Sequence, residues 1–250
     1  MVTGAPQFFF KALNLAERVL ARAQGKGYGS ATIRQEVSIL QSFLTSPPRL
    51  AIDIGGNVGN YTAELRRRNP DLEIHVFEPS ATNIEKMRTR FAADANITLV
   101  SCAVSDDAGS ATLFSNLPGS GLGSLTQRKL DHLNIPFDTR ETVQTIRFED
   151  YWTEKLDKRS IDLVKIDIEG HELGALNGFG DALKETAAVQ FEFGGCNIDT
   201  NTYFQQFWYY FHERNFELYR ITPFGAEKIS KYRESDEFFS TTNYVAVNRA

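Results

Sequence analysis

The sequence predicts an α/β fold built on a doubly wound, mostly parallel sheet, with a closing antiparallel strand pair and an N-terminal helical prefix. From residue 50 onwards, apolar runs of strand length alternate with helical patterns, which is typical of parallel strands joined by crossover helices. A glycine-rich turn follows the first of these runs. Near the end, the segments 216–221 and 243–247 have the pattern of two further strands, which we expect to pair antiparallel.

The helical prefix is indicated by apolar residues at helical spacing ahead of Pro47 and Pro48. The two stripes are Phe9, Leu13, Ala16 and Leu20, and then Ile33, Val37, Leu40 and Leu44. An apolar stripe on a helix normally faces a core. We therefore expect residues 1–46 to form a helical extension that packs on a domain of residues 47–250.

The elements of that domain follow from its apolar pattern. The predicted strands of the parallel sheet are Leu50–Ile54, Ile74–Phe77, Ile97–Ser101, Ile161–Asp167 and Ala187–Phe193. Helices are predicted to begin near Val58, Ala81 and His171, and an aromatic stripe of Phe204, Phe207, Trp208 and Phe211 predicts another that packs in the core. Two alternating segments, 110–115 and 143–148, are predicted as further strands, and they bracket a polar stretch, 116–142. A connection of that length is a functional lid, a substrate loop or disorder.

Composition narrows the class of protein. The 250 residues correspond to one large domain, or one domain with additions, and the formal net charge of −5 argues against a nucleic-acid partner. Cys102 and Cys196 are too few for a disulfide framework, and we expect them to be buried thiols in a reducing compartment. No apolar run reaches the ~18–20 residues that span a bilayer. We therefore expect a cytoplasmic protein with no membrane partner; the sequence does not define the oligomeric state.

The glycine-rich turn within LAIDIGGNVGNYTAEL (50–65) is the predicted ligand site, because parallel sheets bind ligands at the carboxyl ends of their strands. The dinucleotide pattern G-x-G-x-x-G is absent. The pattern present is D-x-G-x-N-x-G, formed by Asp53, Gly55, Asn57 and Gly59. An acidic residue at the end of the first strand suits a ligand with an ammonium group better than a pyrophosphate.

Two further acidic positions follow strand ends. Glu78, in Phe-Glu-Pro after the second strand, is placed to accept hydrogen bonds from both hydroxyls of a ribose. In IDLVKIDIEGHEL (161–173), alternation places Lys165, Asp167 and Glu169 on one face of a strand end. A structural ion pair would also explain Lys165, but charges in an apolar strand beside the ligand crevice favour a functional role.

Taken together, DIGGNVG, FEP, CAVSDDAG and KIDIEGHE resemble the motif series of the FkbM family, which are class I S-adenosylmethionine-dependent methyltransferases with a Rossmann-like fold. The resemblance runs from about Gly25 to the end of the chain, where YRITPFG and TTNY are also similar. It implies roles for individual residues. The methionine part of the cofactor would be held by the turn residues Asp53, Gly55, Gly56, Asn57 and Gly59, although the family commonly has alanine where this chain has Gly56. Glu78 would hold the ribose, Cys102 and Ala103 would border the adenine, and Asp167 would lie beside the ammonium or the transferred methyl group.

The resemblance also implies methyl transfer to an acceptor, most simply a hydroxyl of a small molecule or carbohydrate, although nothing in the residues excludes nitrogen. A hydroxyl needs a base, and we expect Asp167 or Glu169 to supply it, with His171 as a third candidate. Mg²⁺ could be held by Glu192 with Asp167, Asn197 or Asp199, but the loose spacing does not favour a metal site. The acceptor is expected under segment 116–142 and against the N-terminal helices, with Tyr28, Phe137 and Tyr151 as candidate walls.

Two alternatives stay open. One is a nucleotide-dependent oxidoreductase on a similar fold, which the missing glycines disfavour. The other is a cofactor-binding scaffold without turnover, which the set Asp53, Gly55, Glu78 and Asp167 disfavours.

Overall fold

The computed structural model of the chain describes residues 7–29 and 32–249 and is organised by two sheets. In chain order, the strands are β1 (Leu50–Ile54), β2 (Glu73–Phe77), β3 (Ile97–Val100), β4 (Ala103–Val104), β5 (Gly109–Ser115), β6 (Thr139–Ile146), β7 (Ile161–Ile166), β8 (Thr186–Phe193), β9 (Phe216–Thr222), β10 (Gly225–Lys228) and β11 (Thr242–Asn248). The larger sheet has the order β10-β9-β11-β8-β7-β1-β2-β3, and the smaller has the order β4-β6-β5.

The central part of the larger sheet is parallel, as predicted. Strands β3, β2, β1, β7 and β8 are joined by parallel pairings, and β1 lies between β2 and β7. The strand order therefore reverses between β1 and β7, which is where open parallel sheets form ligand crevices. The predicted closing pair is also confirmed, since β9 and β11 pair antiparallel, and β11 pairs antiparallel with β8.

Helices cover both faces of this sheet. Their bounds are α1 (Gln7–Ala23), α2 (Ile33–Ser42), α3 (Asn60–Arg68), α4 (Ala81–Arg90), α5 (Phe148–Lys155), α6 (Glu172–Asn177), α7 (Cys196–Thr200) and α8 (Phe204–His212). The helix predicted from Val58 begins two residues later, because Gly59 at its N-cap has a left-handed backbone (φ 78°) that belongs to the turn.

The smaller sheet supports the long polar segment. Strands β5 and β6 pair antiparallel from Gly109 opposite Thr145 to Ser115 opposite Thr139, which confirms the two alternating segments as strands. Between them the chain folds back, since the backbone of Phe114 exchanges hydrogen bonds of 2.8 and 3.0 Å with Ser124. Part of the segment is therefore held against the sheet at the edge of the ligand crevice.

The two faces of the larger sheet carry separate apolar clusters. On one face, the α8 stripe packs as predicted, with the ring of Phe207 stacked 5.0 Å from that of Phe191, while Trp208 is only half-buried. On the other face, Val37 and Leu40 of α2 are fully buried in the same cluster as residues of α3 and β2. The second helix of the N-terminal extension therefore packs on the sheet.

The first helix of the N-terminal extension, α1, does not pack on the sheet. No residue of α1 is buried, and the stripe residues Phe9, Leu13 and Leu20 are 52%, 49% and 61% exposed. The expectation that this helix packs on the core is wrong for the chain by itself. After the helix, Gly25 adopts a left-handed backbone (φ 86°) so close to the carbonyl oxygen of Ile221 that a Cβ would lie 2.4 Å from it. The chain therefore contacts the body at Gly25, whereas α1 buries no residue against it.

Among the described helices, none is both long and apolar enough to cross a membrane.

Candidate active site

A cleft of about 690 Å³ opens at the carboxyl ends of β1 and β2, beneath the segment that joins β5 to β6. The predicted site residues that line it are Gly55, Asn57, Glu78, Cys102, Ala103, Asp167, Glu169 and His171. Gly119, Ser120, Gly121 and Gly123 cover this cleft from the polar segment.

A second cleft, of about 650 Å³, lies on the other side of the glycine turn. It shares Gly55, Asn57 and Asp167 with the first cleft, so the two meet at the turn. Its other walls come from α2, α3 and the ends of β7, β8 and β11, and include Ile33, Glu36, Tyr61, Lys165, Glu192 and Asn243.

The three glycines of the turn have different physical roles. Gly55 has a φ of 83°, and a Cβ there would lie 1.9 Å from the carbonyl oxygen of Asp167, so any side chain would push the β1 and β7 ends apart. Gly56 faces Val76, whose Cγ1 would lie 2.2 Å from a Cβ, so the alanine that is common in the family does not fit this packing. Gly59 packs against the ring of Phe91 and lines neither cleft, contrary to the prediction that it holds the cofactor.

Asp53 is also placed differently from the prediction. Its side chain is fully buried, accepts a hydrogen bond from Thr62 Oγ1 (2.6 Å), and lines neither cleft. The ammonium group that it faces is that of Lys165, whose Nζ lies 3.6 Å from Asp53 Oδ1 and 3.4 Å from Asp167 Oδ2. Lys165 Nζ also donates to the carbonyl oxygen of Gly55 (3.1 Å). The alternative of a structural ion pair therefore holds for Lys165 and Asp53, while Asp167 stays at the cleft surface.

Lys165 keeps its charge in this setting. Burial lowers its pKa, but the carboxylates of Asp167 and Asp53 outweigh burial, and the net pKa is raised above the ordinary value. The cation therefore sets the position of the turn and of Asp167 at any physiological pH.

Glu78 is held rigidly at the floor of the first cleft. Its Oε2 accepts a hydrogen bond from the backbone N–H of Asn57 (2.8 Å), and its Oε1 accepts one from the backbone N–H of Ser80 (2.9 Å). Burial raises its pKa. Because each carboxylate oxygen has two lone pairs, Oε2 retains capacity for a ligand hydroxyl.

Two polar side chains beside Glu78 were not anticipated from the sequence. Ser80 Oγ and Asn83 Oδ1 are buried at the cleft wall without a hydrogen-bond partner in the described structure. Buried polar atoms are normally paired, so these oxygens are free to bind a polar ligand. In the sequence, these two residues could have been noticed because they lie at the start of the helix that follows Glu78.

Cys102 and Ala103 form an apolar wall of the same cleft, as predicted. Burial raises the pKa of Cys102 to about 12, so the group is a thiol near neutral pH. A flat, uncharged wall of this kind suits an aromatic ring.

Three carboxylates meet where the two clefts join. Asp167, Glu169 and Glu192 each offer an oxygen within 4.8 Å of the others. Strand β7 ends at Ile166, so the prediction that Asp167 and Glu169 alternate along a strand is wrong; they lie in the following loop, where Glu169 has a left-handed backbone (φ 54°). The loop nevertheless brings them to the same edge as Glu192, which the sequence identified only as a candidate metal ligand.

The crowding of these groups changes their ionisation. Burial and the charge of Asp167 raise the pKa of Glu169 to about 7, and the same two causes raise the pKa of Glu192 well above its usual range. The cluster therefore retains protons near neutral pH, which limits its mutual repulsion.

Arg128 completes this side of the site and was missed by the sequence analysis. Its Nη1 lies 2.5 Å from Glu169 Oε2, and its Nε lies 3.3 Å from Asp199 Oδ2. Asn197 is buried, and its Oδ1 accepts the backbone N–H of Gly194 (2.8 Å). Asn197 and Asp199 are thus engaged elsewhere, and the oxygens that could hold a cation are those of Asp167, Glu169 and Glu192.

His171 lines the first cleft, with its Nε2 2.9 Å from Ser105 Oγ. Burial lowers its pKa, so the ring is neutral near pH 7. It does not line the second cleft.

The residues proposed as acceptor-pocket walls lie outside both clefts. Tyr28 OH donates to Gln35 (2.6 Å), Tyr151 OH lies 2.7 Å from His75 Nδ1, and Phe137 borders a separate surface groove. The N-terminal side of the second cleft is instead formed by Gly29, Ile33 and Glu36. Glu36 is held by Thr32 and Gln190, and Gln190 accepts from Tyr61 OH (2.7 Å), so a buried hydrogen-bond chain joins α2 to the sheet and to α3.

Comparison with known proteins relates the chain to methyltransferases. Residues 53–218, more than half of the chain, match the family model described as Methyltransferase FkbM domain. 2-O-methyltransferase NoeI of Sinorhizobium fredii is 26% identical over 191 residues, which cover 72% of this chain and 77% of that protein. Methyltransferase 1 of Beauveria bassiana is 25% identical over 166 residues, which cover 60% of this chain and 67% of that protein.

Among solved structures, the methyltransferase FkbM from Methylobacillus flagellatus KT is similar, with a TM-score of 0.50 and 16% identity. The match covers 81% of this chain but only 44% of that longer chain. It confirms the Rossmann-like α/β fold of a mostly parallel sheet with antiparallel strands. From the match over residues 53–218, the chain belongs to the FkbM family of methyltransferases.

Proposed function

We propose that the protein is an S-adenosylmethionine-dependent methyltransferase that methylates a hydroxyl group of a small molecule or sugar. The observation that carries the proposal is the meeting of two clefts at Gly55, Asn57 and Asp167. One cleft has the features of a nucleoside site and the other presents acidic groups, so a donor and an acceptor can approach each other at their junction.

The first cleft suits the nucleoside part of the cofactor. Glu78 Oε2 has a free lone pair for a ribose hydroxyl, and Cys102 and Ala103 provide an apolar wall for a ring. The unpartnered oxygens of Ser80 and Asn83 supply acceptors for polar atoms of the base or the ribose. When bound, the cofactor supplies a methyl group carried on a positively charged sulfur.

The acidic junction suits both a positively charged donor and a hydroxyl acceptor. Asp167 faces both clefts. Its position is restrained by Lys165, which is itself held by the carbonyl oxygen of Gly55. A base with a pKa near the working pH is the most effective, and the pKa of Glu169 is raised to about 7. We therefore assign the removal of the hydroxyl proton to Asp167 or Glu169, assisted by Glu192. His171 is a weaker candidate because it lines only the nucleoside cleft.

The acceptor is expected to be uncharged or cationic. The described walls of the second cleft include the carboxyl groups of Glu36, Asp167 and Glu192. The one cation in these described walls, Lys165, is paired with Asp53 and Asp167, so they offer a phosphate group no unpaired positive charge. This supports a sugar or other polyhydroxyl compound over a nucleic acid, and the similarity to a protein named 2-O-methyltransferase points to oxygen as the accepting atom.

Calorimetric titration tests the cofactor. S-adenosylmethionine and S-adenosylhomocysteine should bind, NAD(H) should not, and Glu78→Gln should weaken binding at least about tenfold, the loss of one charge-assisted hydrogen bond. Glu154→Gln, on the exposed side of α5, is the matched control. Binding of NAD(H) alone would favour the oxidoreductase instead.

Turnover is tested by incubating the protein with the cofactor and a panel of sugars and phenols, with S-adenosylhomocysteine as the measured product. Asp167→Asn or Glu169→Gln, whichever removes the base, should lose at least about a hundredfold in rate, and full turnover by both variants would refute the assignment. Cofactor binding with no product from any acceptor would favour the non-catalytic scaffold.

A further inference from the structure

We propose that α1 docks the protein on an anionic phospholipid surface, where it lies in the headgroup region with its apolar side toward the lipid. This inference is independent of the proposed methyl transfer. It concerns a helix that the fold leaves without a partner in the described chain.

The exposure of α1 is the first observation. Its large apolar side chains are between 49% and 81% exposed, namely Phe8, Phe9, Phe10, Leu13, Leu15, Val19 and Leu20. In proteins, most of the stability of a helix comes from the packing of its apolar face, and none of the residues that the structure describes covers that of α1. A surface beyond the described residues is therefore needed to cover it.

The arrangement of charge on α1 indicates which surface. At about 100° per residue, Lys11, Arg18 and Arg22 fall within an arc of about 40° on one side of the helix. The apolar residues from Leu15 round to Leu13 fill a continuous arc of about 160°, which begins about 20° from Arg22, so the basic stripe lies along one edge of the apolar face. A basic stripe along the edge of a broad apolar face that contains phenylalanine suits a helix in a membrane interface, where long basic side chains reach the headgroups.

The net charge of the helix supports an anionic partner. Glu17 is the one acidic residue in α1, against three basic residues, although the whole chain has a net charge of −5. Positive charge is thus concentrated on the same helix as the exposed apolar side chains. The apolar face of a helix pair is narrower than the arc of about 160° found here, and Phe10 lies outside that arc, next to Glu17. One helix from a second copy would therefore leave much of the exposed apolar surface uncovered.

A second exposed aromatic residue lies where α1 joins the body. Phe224, in the turn between β9 and β10, is 86% exposed. Strand β9 ends just before this turn, and its last two residues contact the chain after α1. Gly25 packs against the carbonyl of Ile221 and the side chain of Thr222. Two separate elements therefore present apolar side chains at one end of the molecule.

The position of α1 links docking to the site. The chain runs from α1 through Gly29 to Ile33 at the start of α2, and both of these residues line the second cleft. Docking would hold that cleft near the bilayer. A helix that inserts only one side needs no spanning segment, so the proposal is compatible with the absence of such a segment among the described helices.

Co-sedimentation of the full chain with vesicles tests the proposal. We expect binding to phosphatidylcholine vesicles with about 30% phosphatidylglycerol, at least about tenfold weaker binding to phosphatidylcholine alone, and loss of binding as NaCl rises from about 50 to about 500 mM. The variant Phe9→Ser/Leu20→Ser should lose the apolar contribution, and Lys11→Gln/Arg18→Gln should lose the preference for anionic lipid. Glu17→Gln, on the same helix, is the control and should bind at least as well as the wild type.

None of these substitutions lies in either cleft, so the cofactor titration and the thermal midpoint should be unchanged and will show that each variant is folded. Absence of vesicle binding by the wild type, or equal binding by all variants, would overturn the proposal. A dimer in vesicle-free light scattering that Phe9→Ser/Leu20→Ser dissociates would also overturn it and would assign the face to a second copy.

Discussion

Glu172 offers a direct test of how burial controls charge in this fold. The side chain is fully buried at the start of α6, and its Oε1 accepts hydrogen bonds from the backbone N–H groups of Ile168 (3.0 Å) and Gly170 (3.1 Å). Its Oε2 has no hydrogen-bond partner in the described structure. Burial raises the pKa of Glu172 from 4.5 to about 7. The substitution Glu172→Gln keeps the Oε1 acceptor and removes the ionisable group.

The sign of the effect follows from the raised pKa. The folded state binds the proton more tightly than the unfolded state, so the contribution of this group to stability is complete below about pH 4.5 and is lost as the pH rises through about 7. At about 1.36 kcal/mol per pKa unit, the ionised side chain costs about 3 kcal/mol of unfolding free energy at pH 8. The unpaired amide nitrogen of glutamine offsets about 1 kcal/mol of the gain.

Urea unfolding monitored by circular dichroism at about pH 5 and about pH 8 measures this difference. Relative to the wild type, Glu172→Gln should be about 2 kcal/mol more stable at pH 8 and within about 1 kcal/mol at pH 5. Glu154→Gln, which changes an exposed residue, should alter stability equally at both pH values. If the stability change of Glu172→Gln were independent of pH, burial would not control the ionisation of Glu172 and the reasoning would fail.

Three further predictions concern the glycine turn and the charges around it. Gly55→Ala should lose about 1–3 kcal/mol of stability and most of its cofactor affinity, because the new methyl group would lie 1.9 Å from a backbone carbonyl oxygen. Gly123→Ala, in the same cleft, would make only ordinary contact distances and should keep its stability in thermal unfolding and its cofactor affinity in titration. Equal losses in the two variants would contradict the steric argument. Lys165→Met should cost about 3–5 kcal/mol in urea unfolding by leaving Asp53 buried without its cation, and adding Asp53→Asn should restore part of that loss. If the two losses simply added, the ion pair would not be the cause. We expect no metal requirement, so EDTA should change neither the turnover nor the thermal midpoint. A Mg²⁺-dependent rise in the thermal midpoint that Glu192→Gln abolishes would instead show that the carboxylate cluster binds a cation.

The strands and their order along the chain were predictable because burial on both faces of a parallel sheet imposes continuous apolar runs. Leu50–Ile54 and Ile161–Ile166 are of this kind, and every residue of the first is buried. The glycine turn was also predictable, and the structure gives the reason for its residue types. A Cβ at Gly55 would lie 1.9 Å from the carbonyl oxygen of Asp167, so this position tolerates no side chain. The antiparallel ending followed from two alternating segments with no helix pattern long enough for a crossover between them.

The errors have a common physical origin. Asp53 has the residue type and spacing of a ligand-binding carboxylate, but its direction depends on Thr62 and Lys165, which approach it from α3 and β7. The stripe of α1 has the pattern of a core helix, but whether such a face is buried depends on which elements the tertiary fold brings against it, and none of the described elements buries a residue of α1.

The sequence by itself determined the strands of the parallel sheet, the position of the glycine turn, and the residue types that stand at the carboxyl ends of the strands. Local patterns report these features because they depend on hydrophobic periodicity and on backbone conformation at single residues. Only the tertiary structure decided that Asp167, Glu169 and Glu192 meet, that Arg128 neutralises one of them, and that α1 stays uncovered. These features depend largely on distances between residues far apart in the chain, and the pKa of a carboxyl group shifts when folding excludes water from it or brings other charges near.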